Sequence, residues 1–420
     1  MVELTKYKLR DIASVIISGV DKKVNDNETP VRLCNFVDVY HNWAITKSLY
    51  DSFMEATAKP VEIERFKLHK GQVALTKDSE TRDDIGIASY IADDFDDVIL
   101  GYHCALVTPN NKIVDSRYLN AFLHSKYILK YFELNATGSG MRYTLSNNTL
   151  LDIPILLPSM QQQKAIGDLF SNIDKQIETL NAINRNLEQV ARQLYDYWFV
   201  QFDFPNNEGK PYKSSGGEMA WNEQLKAYIP REWSVSCLGD VFDIIMDRCS
   251  NAGQHTHYTP IEVIPRKQMS LNETAPIENA ISGLCSYKKN DILLSNRRVY
   301  FHKVCIAPFD GITRDTVIVL RPKQSLSLGY LFQLVFSEHF ISYATLHSYG
   351  SEQPVLSWQT VKKYKFATPD DSLILQYCNL ANNIINQVID NHNQIRHLKS
   401  LRDELLPMLL NGQVNCDLSH

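Results

Sequence analysis

The 420-residue chain has little of what marks membrane-bound, secreted or catalytic proteins. No run of eighteen apolar residues occurs, so no segment has the length of a membrane-spanning helix. The start, MVELTKYKLRDIA, has no apolar stretch of the kind a secretory leader needs, and a cytoplasmic location is expected. Cysteine is sparse: Cys34, Cys104, Cys237, Cys249, Cys285, Cys305, Cys378 and Cys416 are scattered, with no C-x-x-C pair. A zinc site needs clustered ligands and a disulfide framework belongs to small secreted domains, so reduced packing residues are expected. Excess positive charge is also missing: 43 Lys and Arg against 48 Asp and Glu give a net charge of −5. Any nucleic-acid surface must then be a local basic face on an acidic whole.

Motifs of chemistry are equally scarce. There is no G-x-x-x-x-G-K-[ST] phosphate loop, no G-x-G-x-x-G fingerprint and no H-E-x-x-H metal motif. Nor is there an Asn/Asp-Pro-Pro-aromatic run of the kind amino-methyltransferases use to hold a target amino group. The Gly138-Ser-Gly140 segment lacks the strand-turn-helix context of a dinucleotide site. The acidic run Asp93–Asp97 lacks the interspersed glycine and spaced glutamate of a calcium loop, and a solvated loop is expected there. Nothing in the residues points to catalysis.

What the chain does have is an internal repeat. With an offset of 211 residues, Leu145-Ser146 falls on Leu356-Ser357, Pro158 on Pro369, Ile173 on Ile384, Ile177 on Val388, Leu187 on Leu398 and Leu194 on Leu405. One residue out of that register, Tyr118-Leu119 matches Tyr330-Leu331 and Gly138-Ser139 matches Gly350-Ser351. Near the starts, Leu9-Arg-Asp-Ile12 is similar to Leu238-Gly-Asp-Val241. The halves share a frame and diverge inside it, chiefly over 20–65 and 243–285.

Each half ends in a helical pattern. From Gln161 to Phe199, apolar residues recur at Ile166, Phe170, Ile173, Ile177, Leu180, Ile183, Leu187, Val190 and Leu194. From Leu373 to Leu406 the pattern returns at Ala381, Ile384, Val388, Ile395, Leu398, Leu401 and Leu405. Steps of three and four sustained over about 38 residues, roughly 57 Å of helix, predict coiled-coil seams rather than helices covered by one domain. Before them lie short β-rich runs such as Gln72–Thr76, His103–Val107, Asp291–Ser295 and Thr316–Leu320, with helical patterns over Ser116–Tyr131 and Leu328–Tyr343. The fold class is therefore α+β. Asn206–Trp233, rich in Asn, Gly, Ser and Pro, reads as a linker.

The linker and its flanks, Tyr197-Trp-Phe199, Phe202-Asp-Phe-Pro205, Gly209-Lys-Pro-Tyr212, Gly216-Gly-Glu-Met219 and Ile229-Pro-Arg-Glu-Trp233, resemble the central region of type I restriction-modification specificity subunits. Gly138-Ser-Gly-Met-Arg142 with Leu145-Ser146 and Ile153-Pro154 is similar to the segment closing a target-recognition domain of that family. Asp291-Ile-Leu-Leu294, Arg298-Val-Tyr300, Lys303-Val304 and Asp310-Gly311 resemble its strand-loop core, and Leu409-Leu-Asn-Gly-Gln413 its usual ending. The second copy departs at Gly350-Ser-Glu-Gln-Pro354, which leaves Arg142 without a basic counterpart.

The resemblance implies two target-recognition domains, 1–160 and 233–372, separated by two long conserved helices, 161–199 and 373–420, paired as an antiparallel coiled coil about a pseudo-twofold axis, with 200–232 as linker. It implies a non-catalytic subunit that reads a bipartite, asymmetric site on double-stranded DNA. Its partners would be two methyltransferase subunits and restriction-translocase subunits. S-adenosylmethionine, ATP and magnesium would be bound by those partners and none by this chain. The alternative is a non-catalytic coiled-coil adaptor without DNA specificity. Base and phosphate contacts need long hydrogen-bonding side chains on loops. The first domain offers Lys47, Lys70, Lys77, Arg82, Ser139, Arg142 and Tyr143. The second offers Arg266, Lys267, Lys288, Lys289, Arg297, Arg298, Lys303 and Arg314, with Lys288–Lys303 the densest basic stretch.

Overall fold

A computed structural model describes residues 3–138, 140–249, 253 and 255–410. Of these, the residues up to Glu178 together with those from His397 form one compact unit, and Thr179–Arg396 form the other.

The first unit is built on a five-stranded sheet in the order Ala13–Ile17, Cys104–Pro109, Val73–Thr76, Ala88–Ile91, Ala44–Ile45. Val73–Thr76 is buried throughout, as a central strand covered on both faces should be. A second sheet, Met54–Ala58, Thr29–Cys34 and Val98–Leu100, carries the interior that has no counterpart in the other half. Thr5–Lys8 pairs with Pro154–Leu157 and closes the unit.

The second unit repeats the frame by itself. Its sheet runs Phe242–Ile245, Val317–Pro322, Ile292–Ser295, Val304–Ile306, and Ser234–Cys237 pairs with Lys365–Thr368. The order and the antiparallel sense match the first four strands of the other unit, so the 211-residue repeat is a repeat of topology. Helix starts repeat as well. Ser146 Oγ accepts from Thr149 N and Ser357 Oγ from Thr360 N, each satisfying an orphan donor of a first turn.

Two sequence expectations are corrected here. The helical patterns over Ser116–Tyr131 and Leu328–Tyr343 are each two helices: Ser116–Leu123 with Lys126–Asn135, and Leu328–Phe336 with Glu338–Leu346. The breaks fall on Ser125 and Ser337, whose extended backbone and capping hydroxyls start a new helix. The segment 200–232 is folded. Phe204 stacks on Tyr212 and on Trp233, Asp203 accepts from Ser214 N and Oγ, and Met219–Asn222 pairs with Ala227–Pro230.

The first long helix spans Met160–Tyr195 and continues as a π-turn over Asp196–Val200; the second spans Asp371–Leu410, with Pro407 near its end. Within the first unit, Gly167 brings its helix onto the short helix beside it: a Cβ there would lie 2.9 Å from Asp115 Oδ1. Within the second unit the two long helices run in opposite directions side by side. Tyr377 Oη donates to Ala191 O, and Asn391 Nδ2 donates to Asn184 Oδ1. The buried positions there are Asn184, Glu188, Ala191 and Tyr195, while Ile183 and Val190, expected in the seam, are exposed. Tyr195, Trp198 and Phe199 are buried in the core with Tyr330 and Tyr377.

Candidate nucleic-acid interface

The candidate residues sort by where their strands end. In the first unit, Val73–Thr76 leads into a small sheet made of Asp78–Ser79, Tyr143–Thr144 and Thr137–Gly138. Lys77 N donates to His103 O at 2.9 Å and Leu145 N to Lys77 O at 2.8 Å, which ties the closing segment to the main sheet. Lys77, Arg82, Arg142 and Tyr143 are brought together here. Arg82 lies over the Tyr143 ring at 5.2 Å, and Lys77 Nζ reaches Asp78 at 3.0 Å and Thr144 Oγ1 at 3.3 Å. Arg142 Nη2 is 3.5 Å from Asp78 Oδ2, and the Arg142 side chain remains 57% exposed. Ser139 lies outside the described residues.

Asp78 and His103 were not among the expected residues. Asp78 is buried, and His103 Nδ1 is 2.5 Å from its Oδ2. Burial alone would raise the Asp78 carboxyl, but hydrogen bonds from Thr144, His103 and Lys77 outweigh it and hold the group below the usual carboxylate range. Both residues border a cleft of about 520 Å³ with Phe36, Tyr40, Met141 and Arg142. Lys47 and Lys70 belong to another cleft of about 820 Å³, against the first long helix, where Lys164 and Lys175 join them and Asp93 and Glu178 offset their charge. The acidic run Asp93–Asp97 is largely engaged in holding its surroundings: Asp93 accepts from Lys47 N, Asp94 from Lys70 N, and Asp97 from Tyr50 Oη.

In the second unit the same two ladder bonds recur: Asn296 N donates to Thr316 O at 3.0 Å and Leu356 N to Asn296 O at 2.8 Å. Asn296 therefore stands where Lys77 stands, and Arg297, bridged to Val355, stands where Asp78, paired with Thr144, stands. Arg142 itself has no basic counterpart in the second unit, and the exposed arginine there, Arg297, takes the place of Asp78. Arg297 and Arg298 are both exposed, and Arg298 N donates to Pro354 O from a left-handed conformation, φ 46°. Arg314 is exposed at the same end, where Asn296 Nδ2 holds Asp315 O.

The turn Val299–Phe301 that follows is held from beneath. Arg266 lies over Phe301 at 4.0 Å, and Lys267 pairs with Glu338 at 3.0 Å beside the buried His302. Burial pushes His302 below the ordinary histidine value, so its neutral form is favoured. Two expected residues are placed differently. Lys303 turns its ammonium to Ile261 O at 2.6 Å and Glu262 O at 3.2 Å, and burial lowers its pKa, so it braces a loop. Lys288 and Lys289 sit at the opposite end of Ile292–Ser295, where their amides bond Asp291 and Asp310. A four-residue strand is about 13 Å long, which divides the Lys288–Lys303 stretch in two.

Among the described residues no group of three or more His, Cys, Asp or Glu could hold a metal ion, no helix is long and apolar enough to cross a membrane, and the seven described cysteines form no disulfide. Cys416 lies outside the described residues.

Comparison with known proteins agrees with this duplicated frame. The chain is 24% identical to the type I restriction enzyme MjaIX specificity subunit of Methanocaldococcus jannaschii over 74% of this chain and 72% of that one. It is 22% identical to the type I restriction enzyme HindI specificity subunit of Haemophilus influenzae over 99% of this chain and all of that one. Its fold is similar to the crystal structure of a type I restriction-modification system S subunit from M. genitalium, with a TM-score of 0.53, 14% identity, and 97% and 96% of the two chains covered. The model of the type I restriction modification DNA specificity domain matches residues 1–189 and again 230–390, once on each copy of the frame, and the chain belongs to that family of DNA specificity proteins.

Proposed function

We propose that this chain is the non-catalytic, DNA-reading specificity subunit of a type I restriction-modification enzyme of the cytoplasm, one half-site being read by each unit. The observation that carries this reading is the pairing at the end of each central strand, a small sheet in the first unit and the isolated Arg297–Val355 bridge in the second. Both units present a solvent-facing guanidinium there, but Arg142 comes from the closing strand in one and Arg297 from the ladder strand in the other. Guanidiniums delivered from different strands, on interiors that diverge between the units, suit two different half-sites, which makes the site bipartite and asymmetric. Arg298 supplies a phosphate contact beside Arg297, and Lys47 and Lys70 supply theirs from the separate cleft of the first unit.

The two long helices act as an antiparallel coiled coil that sets the spacing of the half-sites and receives two methyltransferase subunits, which restriction-translocase subunits join. Ile183, Val190 and Tyr197, exposed at seven-residue steps, suit such docking, since a heptad stripe left in water is an interface looking for a helix. S-adenosylmethionine, ATP and magnesium are bound by those partners.

The test is to sequence the methylome of a host lacking other methyltransferases and expressing this chain with its methyltransferase subunit. A single bipartite asymmetric motif is expected. Methylation without a motif, or none while the complex assembles, would support an adaptor without DNA specificity.

A further inference from the structure

We infer that Asp78 is a positioning residue for DNA recognition by the first unit, holding the Arg142 guanidinium both directly and through His103, whose Nδ1 bonds Asp78 and whose Nε2 accepts from Arg142; this rests on the DNA-reading function proposed above. Its carboxylate is 10% exposed, whereas the Arg142 and His103 side chains are 57% and 26% exposed. Three side chains converge on it: Lys77 Nζ at 3.0 and 3.1 Å, His103 Nδ1 at 2.5 Å and Arg142 Nη2 at 3.5 Å. Lys77 alone neutralises one carboxylate. The Arg142 guanidinium is surplus to internal charge balance and reaches solvent with the carboxylate behind it.

Geometry supports a purpose beyond packing. His103 adopts a left-handed backbone, φ 68°, its amide oxygen fixed by Lys77 N and its ring tilted on Tyr102 at 3.9 Å. Such a conformation is uncommon for a residue with a side chain and persists where its surroundings enforce it. Arg142 Nη2 lies 2.8 Å from His103 Nε2, so the guanidinium and imidazole form one surface. An acid is not demanded by the frame, because the second unit has Arg297 at the corresponding register. Where the ladder strand bears the guanidinium itself, no carboxylate is needed. Where the guanidinium arrives from the next strand on a flexible side chain, the carboxylate fixes it. A guanidinium tethered by one nitrogen keeps other donors in a fixed fork, the geometry that suits a base edge. The negative charge behind it weakens attraction to any phosphate in reach.

The experiment measures binding of the complex with its methyltransferase subunits to DNA libraries randomised in each half-site, with melting of each variant as a folding control. Asp78→Asn is expected to lower discrimination about tenfold to a hundredfold at one position of one half-site. Affinity for unrelated DNA should hold or rise, and the other half-site should be untouched. Arg142→Ala and Arg142→Lys should lose discrimination at the same position, Asp78→Glu should restore part of it, and Asp78→Asn in the Arg142→Ala background should add nothing. Additive losses at two positions, or unchanged discrimination in a folded Asp78→Asn protein, overturn the inference. If Asp78→Asn does not fold, Arg142→Lys decides: unchanged discrimination by a folded protein removes the tethered fork. No sequence preference in the unaltered complex removes the DNA reading itself and this inference with it.

Discussion

Single residues differ here in what surrounds their charge. Arg297 meets no acidic partner among the described contacts, whereas Arg142 shares Asp78 with His103 and Lys77. Arg297→Ala should therefore cost about 1–3 kcal/mol of discrimination at one base of the half-site read by the second unit, leaving the other half-site intact. A uniform loss on all sequences with a flatter salt dependence would make Arg297 a phosphate contact instead, and binding titrations at several salt concentrations separate the two. Glu188 is a stability device of opposite character. Burial pushes its carboxyl up to about 7, although Met269 N donates to it at 2.7 Å. The unfolded chain ionises this group near the ordinary value of about 4.3, so its contribution to stability is full below that pH and is lost as pH rises toward 7. Glu188→Gln keeps an acceptor for Met269 N and removes the titration. Denaturation at pH 5 and pH 8 should show the variant's gain over the parent larger by on the order of 2–3 kcal/mol at the higher pH. The exposed arginines were readable from residue type, but Asp78 was not, because His103 and Arg142 meet it from 25 and 64 residues away. Linear sequence ranks charges by local density and so favoured Lys288–Lys303, which the fold splits.

Elements were read best where one period dominates. Steps of three and four gave both long helices, yet the buried face was misread over one stretch. A seam assigned by hydrophobicity runs through Ile183 and Val190, whereas the packed face runs through Asn184, Glu188 and Ala191. The polar pair explains the difference: inside, Asn391 Nδ2 donates to Asn184 Oδ1 while Asn184 Nδ2 donates to Val388 O, and the apolar residues beside them are left outward. This pair should fix register more than it adds stability. Asn391→Leu strands Asn184 Oδ1 in a buried site and should cost about 1–3 kcal/mol. Asn184→Leu with Asn391→Leu should restore most of that loss, while cross-linking of cysteines engineered along the two helices should reveal slipped registers. A double variant with a single native register would show that the pair has no such role. Breaks at Ser125 and Ser337 escaped the same analysis because a capping serine interrupts a helix without interrupting its apolar period. The 200–232 segment escaped because Gly, Asn and Ser dominate its composition, while its order comes from Phe204, Tyr212 and Trp233, which stack together.

At the scale of the molecule, the repeat was the most readable feature, since an offset of 211 residues matches the closing strands Pro154–Leu157 and Lys365–Thr368, the capping residues Ser146 and Ser357, and the long helices. What it could not convey is that the boundaries between units fall within the helices, at Glu178 and Arg396, so that each helix belongs to both. This makes helix length a candidate determinant of half-site spacing. Four residues inserted after Leu180 add about one turn, roughly 6 Å, and nearly preserve which face is buried. The insertion precedes Asn184, so the Asn184–Asn391 register is kept and the change falls on the residues before it. Base pairs are spaced about 3.4 Å along the duplex, so the preferred spacer should lengthen by about one or two base pairs. Half-site sequences should not change, because neither candidate recognition surface is touched. A two-residue insertion turns the packed face by roughly 200° and should destabilise the assembly instead. Methylation-site mapping of the four-residue variant checks this: modification of the parental site with an unaltered spacer, by a folded complex, would mean that the helices do not act as a ruler.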